Sequence, residues 1–200
     1  MTRPEPVLIG FFPKKTACPD AFFGKTAVEE ICSVSDCISS GPEGWIDQWK
    51  HNVTWWFFDT EAAAREVTGE EEYDMYAYRL FPVVFDRDTE TPIDVDASAE
   101  GDLGCYEFLG YDIVSRSRGT NFECSPLSCN GGCKEYDVNR HCLVDAVDEA
   151  WRVAKEIAHD SAEKGSWEPG PYYLFEVYRR SRNQSCLTAR TAACSHPSGS

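Results

Sequence analysis

The chain has 200 residues, of which 42% are hydrophobic and 13% aromatic, so it can bury a core and is not wholly disordered. Its apolar runs are far shorter than a membrane-spanning helix, so we expect no membrane partner. With 34 acidic and 19 basic side chains, the formal net charge is −15. Such a surface repels phosphate backbones, which argues against a nucleic-acid partner.

Hydrophobic periodicity and turn residues predict six secondary-structure elements. The first half begins with a strand rich in β-branched and aromatic side chains, followed by a short helix that Thr60 caps and a long strand. The second half has a strand, a longer helix that Asp145 caps, and a last strand after a Pro-Gly-Pro turn. The predicted strands cover residues 6–14, 73–85, 107–117 and 172–180, and the predicted helices cover 60–67 and 145–159.

The two halves share motifs in the same order, which predicts an internal duplication. Cys32-Ser33-x-x-x-Cys37 recurs as Cys124-Ser125-x-x-x-Cys129, and each copy is followed by a His, a helical pattern and a Tyr-Arg pair. We therefore expect one α+β domain over residues 1–180. It would consist of repeats at about 6–86 and 106–180, an acidic connecting loop at 87–105, and a flexible tail at 181–200. Two separate small domains are the alternative, but each would be marginally stable by itself.

The order of the elements is that of the ferredoxin-like fold, βαββαβ. It predicts a pseudo-duplicated four-stranded antiparallel sheet, with the first and third strands in the middle and both helices on one face. About 44 residues lie between the first strand and the first helix, so we expect a short helix of their own around Trp45, Ile46 and Trp49. In this topology the two Cys-Ser loops emerge at opposite ends of the sheet, about 30 Å apart. Cys32 and Cys37 would then not contact Cys124 and Cys129.

Ten cysteines require an explanation. The N-terminal residues lack the long apolar stretch and small-residue cleavage site of a secretory signal, which predicts a cytoplasmic protein. In a reducing cytosol, a disulfide framework is not expected. Secretion by another route would reverse that expectation.

The densest group of potential metal ligands lies in the second half. It comprises Cys124, Cys129, Cys133, His141 and Cys142. Thiolates and an imidazole are the ligands of tetrahedral zinc, so zinc is the candidate cofactor, although the spacing lacks the usual C-x2-C pair. The alternative is that these are small buried thiols that pack like Ala or Ser.

A nucleophilic cysteine is the third interpretation of the same residues. Such a cysteine needs a base within hydrogen-bonding distance. The sequence offers two candidate pairs, Cys129 with His141 and Cys37 with His51.

Aromatic and acidic residues provide candidate contacts for a partner. Trp55 and Trp56 belong to an aromatic run, and Tyr76, Tyr78 and Tyr178 are expected to share one face of the sheet. Core packing is the alternative for all of them. Residues 59–102 carry fourteen acidic side chains against three arginines, with Glu70, Glu71 and Glu72 in sequence.

These features favour a non-enzymatic interaction module whose acidic surface meets a basic protein, as in inhibitor or immunity proteins. The alternative is a zinc protein or a thiol enzyme that uses the Cys/His loops. A third possibility is a structural subunit that buries its open sheet face against a second copy of itself.

Overall fold

The computed structural model describes residues 3–17, 27–35, 37–38, 40–48, 55–68, 72–95, 99–116 and 124–181. The strands are β1 (Val7–Lys14), β2 (Asp74–Asp86), β3 (Thr89–Pro92), β4 (Tyr106–Ser115) and β5 (Tyr172–Arg180). The helices are α1 (Trp45–Gln48), α2 (Glu61–Glu66) and α3 (Val147–Lys164), and a 3-10 turn covers Gly132–Lys134. Most of the predicted tail, residues 182–200, lies outside the described residues.

The fold is α+β with a five-stranded antiparallel sheet. The four long strands follow the order β1-β2-β5-β4, and β3 pairs with the C-terminal end of β2. The ferredoxin-like order is therefore wrong, because the second and fourth long strands, not the first and third, are central. Each half pairs its own two strands directly, so β1 and β4 become edge strands.

The fifth strand lies where the sequence predicted only an acidic loop. Arg87 adopts a left-handed backbone conformation with φ 52°, which lets the chain reverse after β2. Val83 and Asp86 of β2 then pair with Pro92 and Thr89 of β3. All four residues of β3 are exposed, so β3 lacks the alternation of apolar and polar residues by which a half-buried strand is recognised.

Strand register divides the sheet into two faces. One face, which we call the loop-covered face, carries Phe12, Lys14, Tyr76, Tyr78, Asp112, Phe175 and Val177. Residues 32–35 and 55–58 pack on it. On the opposite, helix-covered face, α3 packs against Ile113 and Leu174, and Glu61 of α2 forms an ion pair with Arg180.

The predicted grouping of the three tyrosines is wrong. Tyr78 pairs with Val177, whereas Tyr178 pairs with Ala77. Side chains alternate along a strand, so this offset of one residue places Tyr178 on the helix-covered face while Tyr76 and Tyr78 lie on the loop-covered face.

The ends of the two longer helices follow from local interactions. Thr60 caps α2 as predicted, because its side chain accepts a hydrogen bond from the Ala63 N–H. Asp145 does not cap α3: the N-cap is Ala146, and Asp145 instead accepts a hydrogen bond from Asn139. Gly165, in a left-handed conformation, ends α3. Among the described residues, no helix is long and apolar enough to cross a membrane.

Candidate metal centre

A single buried carboxylate joins the two Cys-Ser loops. Asp112 of β4 is fully buried on the loop-covered face. It accepts hydrogen bonds from the Ser33 hydroxyl at 2.7 Å, the Val34 N–H at 2.8 Å and the Ser125 hydroxyl at 2.6 Å. The prediction that the loops lie at opposite ends of the sheet is therefore wrong. Residues 27–35 fold back across the sheet and reach the edge strand β4.

A buried lysine fixes the first of these loops from the other edge strand. Lys14 of β1 is 2% exposed, and its Nζ donates to the carbonyl oxygens of Ser33, Val34 and Ser35 at 3.0, 2.6 and 2.8 Å. The ammonium also lies 5.8 Å from the centre of the Phe12 ring. Residues 33–35 are thus tied to both edges of the sheet.

Three thiols meet where the two loops come together. The Sγ atoms of Cys37, Cys124 and Cys129 all lie within 4.8 Å of one another. Cys124 is buried and its thiol donates to Asn130 Oδ1 at 3.1 Å, whereas Cys129 is half-buried and Cys37 is exposed. The group, which we call the three-thiol site, is therefore closed on one side and open to solvent on the other.

The surroundings of Cys129 favour its thiolate. Its Sγ lies 3.7 Å from the hydroxyl oxygens of both Ser35 and Ser128. Polar contacts with the Cys124 thiol, the Ser125 backbone and these two hydroxyls outweigh burial and lower the pKa of Cys129. The same contact between the two cysteines, together with burial, raises the pKa of Cys124. These contacts favour the thiolate of Cys129, and the thiolate is the form that binds metals.

The three-thiol site has the donor set and nearly the spacing for a thiophilic ion. Zinc bonds to thiolate sulfur at about 2.3 Å, which places the sulfurs of a tetrahedral site about 3.8 Å apart. Sulfurs within 4.8 Å of one another need only small side-chain rotations to reach that distance. An ion held by these three sulfurs would have its fourth position on the solvent side, next to the exposed Cys37.

The predicted zinc ligands are only partly brought together. Cys124 and Cys129 lie in the three-thiol site, but Cys133 and Cys142 are buried in the hydrophobic core. The Cys142 thiol donates to the Leu127 carbonyl at 3.7 Å, and burial raises its pKa. Cys37 is the member of the three-thiol site that the sequence-based zinc prediction does not include. The available signal was the repeated motif: Cys37 follows Ser33 as Cys129 follows Ser125, and both serines bind the same carboxylate.

His141 belongs to a second, separate group. Its Nδ1 lies 2.6 Å from Glu30 and 4.0 Å from the Cys32 Sγ. The guanidinium of Arg179 forms an ion pair with Glu30 at 2.8 Å and already supplies the positive charge that a metal would bring. Burial raises the pKa of Cys32 to about 12, so this thiol is not an activated nucleophile.

The group around Glu30 therefore ties segments of the fold together, as a partly buried ionic network. The predicted pair of Cys129 with His141 is not brought together, because His141 faces Cys32 instead. The pair of Cys37 with His51 stays a prediction, since His51 lies outside the described residues.

The predicted partner-binding aromatics lie mostly inside the protein. Trp55, Tyr76 and Tyr78 are 3%, 2% and 0% exposed, while Trp56 and Tyr178 are half-buried. These buried rings form part of the core on the loop-covered face. Of the predicted acidic contacts, Glu72 is exposed, and Glu70 and Glu71 lie outside the described residues.

Comparison with known proteins gives no match. No protein-family model, no curated protein and no solved structure matches this chain. Functional inference for the chain therefore rests on the chemistry of the side chains that its fold brings together.

Proposed function

We propose that this protein binds a thiophilic metal ion, with zinc as the first candidate, through Cys37, Cys124 and Cys129. The observation that carries the proposal is the meeting of three sulfurs from two loops that lie far apart in the sequence. Thiolates select zinc and other soft or borderline ions over magnesium or calcium. Because Asp112 and Lys14 hold the loops, the site is partly organised before an ion arrives.

The proposed role of the three sulfurs is to bind the ion. A reducing compartment such as the cytosol would keep the sulfurs available, and that location is part of the proposal. The open fourth position gives a bound ion a place for water or for a ligand from another molecule.

Metal titration of the complete chain tests this proposal. Protein purified with a reductant and stripped with a chelator is titrated with zinc against a competing chromophoric chelator. We expect one equivalent to bind tightly. The decisive variant carries Ser at positions 37, 124 and 129, and it should lose that equivalent.

A matched control separates this site from the other cysteines. Cys18, Cys186 and Cys194 lie outside the described residues, and a variant with Ser at those three positions removes the same number of thiols. It should bind zinc as the parent does. Equal zinc binding by both triple variants, or loss only in the control, would overturn the proposal.

A basic protein partner is a second, independent proposal. Asp86 and Asp88 are exposed beside the exposed strand β3, which supports an electrostatic contact with a positively charged surface. The contact would depend on charge more than on the predicted aromatics, since Trp55 and Tyr78 are buried. Its association rate should fall as salt rises while its dissociation rate changes little. Binding partners that show no such salt dependence would contradict it.

We also propose that the two halves arose by duplication. Two glycines at matching places in the edge strands support this: Gly10 has φ 150° and Gly110 has φ 142°, and a register shift precedes each. The residue after each glycine forms an isolated bridge with a loop, Phe11 with Phe58 and Tyr111 with Val144. The strand partners of the two glycines are Tyr78 and Val177. When the Tyr-Arg pairs of the two halves are aligned, these partners differ by one residue, so the match is close in position but not identical in register.

A further inference from the structure

We propose that the three-thiol site also carries out thiol–disulfide exchange, in which a small-molecule disulfide links Cys37 to Cys129. Where the metal-binding function proposed above holds, this bond also regulates the metal, because it removes two of the three ligands. The inference rests on the position and exposure of the sulfurs.

Exposure determines which sulfur reacts first. Cys37 is the exposed member of the site, so an oxidant in solution reaches its sulfur before the others. Cys124 is buried, and its thiol proton is directed at Asn130. Cys129 is half-buried, so it is less accessible than Cys37 and more accessible than Cys124. Its sulfur lies within 4.8 Å of the Cys37 sulfur. Cys129 is therefore the sulfur that resolves a mixed disulfide on Cys37.

The reaction is balanced as two successive exchanges. The Cys37 thiolate attacks one sulfur of the disulfide RSSR, forms Cys37–S–S–R and expels RS⁻. The Cys129 thiolate then attacks Cys37 Sγ and expels the second RS⁻. Two protein thiols lose two protons and two electrons, and RSSR is reduced to two RSH.

The same protein contains a natural contrast. Cys133 and Cys142 interact with each other in the core, but they are 0% and 1% exposed. Adjacency alone would predict that both pairs oxidise. Access predicts that only the pair at the surface does.

The first test uses the metal-free chain with Ser at positions 18, 186 and 194, treated with oxidised glutathione. We expect the intact mass to fall by two hydrogen atoms, and peptide mapping to find Cys37 linked to Cys129 while Cys133 and Cys142 remain thiols. Adding C129S should instead trap one glutathione on Cys37. A crosslink between Cys124 and Cys129, oxidation in the core, or no trapped adduct would overturn the inference.

The second test uses zinc-loaded protein of the same background, with zinc release followed alongside crosslinking. Release should keep pace with formation of the Cys37–Cys129 bond and should reverse when a dithiol reductant is added. A crosslink in a chain that binds no zinc would refute the metal proposal and retain the exchange reaction. Tight zinc binding without any crosslink in the metal-free protein would refute the exchange reaction and retain the metal proposal.

Discussion

Replacing Asp112 with Asn tests whether one carboxylate holds the two Cys-Ser loops together. Each carboxylate oxygen accepts one hydroxyl and one backbone N–H: Oδ2 binds Ser33 and Val34, and Oδ1 binds Ser125 and Ile113. A hydroxyl can rotate to accept a hydrogen bond from the new amide, but a backbone N–H cannot. In either orientation of the Asn amide, its NH2 group therefore faces one of the two buried backbone N–H groups, that of Val34 or that of Ile113, and this N–H loses its acceptor.

The cost follows from that single unsatisfied group. A buried donor without an acceptor costs about 1–3 kcal/mol, and the remaining hydrogen bonds weaken because their acceptor is no longer charged. Burial raises the pKa of Asp112, so removing its charge offsets part of this cost. We expect Asp112→Asn to lower the free energy of unfolding by about 2 kcal/mol.

Urea unfolding of the reduced, metal-free chain measures this effect. With a slope of about 2 kcal/mol per molar urea, the midpoint should fall by about 1 M. Ser125→Ala is the control, because it deletes one hydrogen bond and leaves the Ile113 N–H paired, so it should cost about 1 kcal/mol or less. An unchanged midpoint for Asp112→Asn, or a larger loss for Ser125→Ala, would refute the reasoning.

Two further predictions concern packing and pH. Gly110→Ala would place a Cβ 2.8 Å from Leu143 Cβ at φ 142°, so it should cost about 3 kcal/mol by urea unfolding, whereas Gly44→Ala, with open space around it, should cost about 1 kcal/mol. Equal costs would contradict the packing argument. At Glu61, burial alone would raise the pKa, but hydrogen bonds from Arg65 and Tyr106 and the charge of Arg180 outweigh it and lower the pKa below 4.5. The stability from Glu61 is therefore complete above pH 4.5 and is lost as pH falls through the lowered pKa, so wild type should lose more stability than Glu61→Gln between about pH 6 and pH 3. Parallel losses in the two proteins would show that Glu61 is not the group responsible.

The elements of this fold were largely predictable, but their arrangement was not. The four long strands lie within two residues of their predicted bounds, because apolar and β-branched residues mark a buried strand locally. Strand order depends on pairing between distant segments, and no local pattern encodes it. The motif order shared by the two halves favours a ferredoxin-like order. However, when each half pairs its own long strands, β1 with β2 and β4 with β5, the backbone hydrogen bonds of the sheet are satisfied equally well.

Because the predicted strand order is wrong, the predicted positions of the two Cys-Ser loops are wrong as well. With β1 and β4 side by side, the strands would separate the two Cys-Ser loops, and this order therefore predicts that Cys37 and Cys124 lie far apart. The sequence did contain a signal against this, since Asp112 interrupts the apolar segment from Leu109 to Val114. A carboxylate in a strand buried on both faces needs several donors nearby, and the serine that follows Cys in each motif supplies one. Matching the buried Asp112 with the serine of each Cys-Ser motif predicts that the two loops lie close together, and therefore that their three sulfurs do as well.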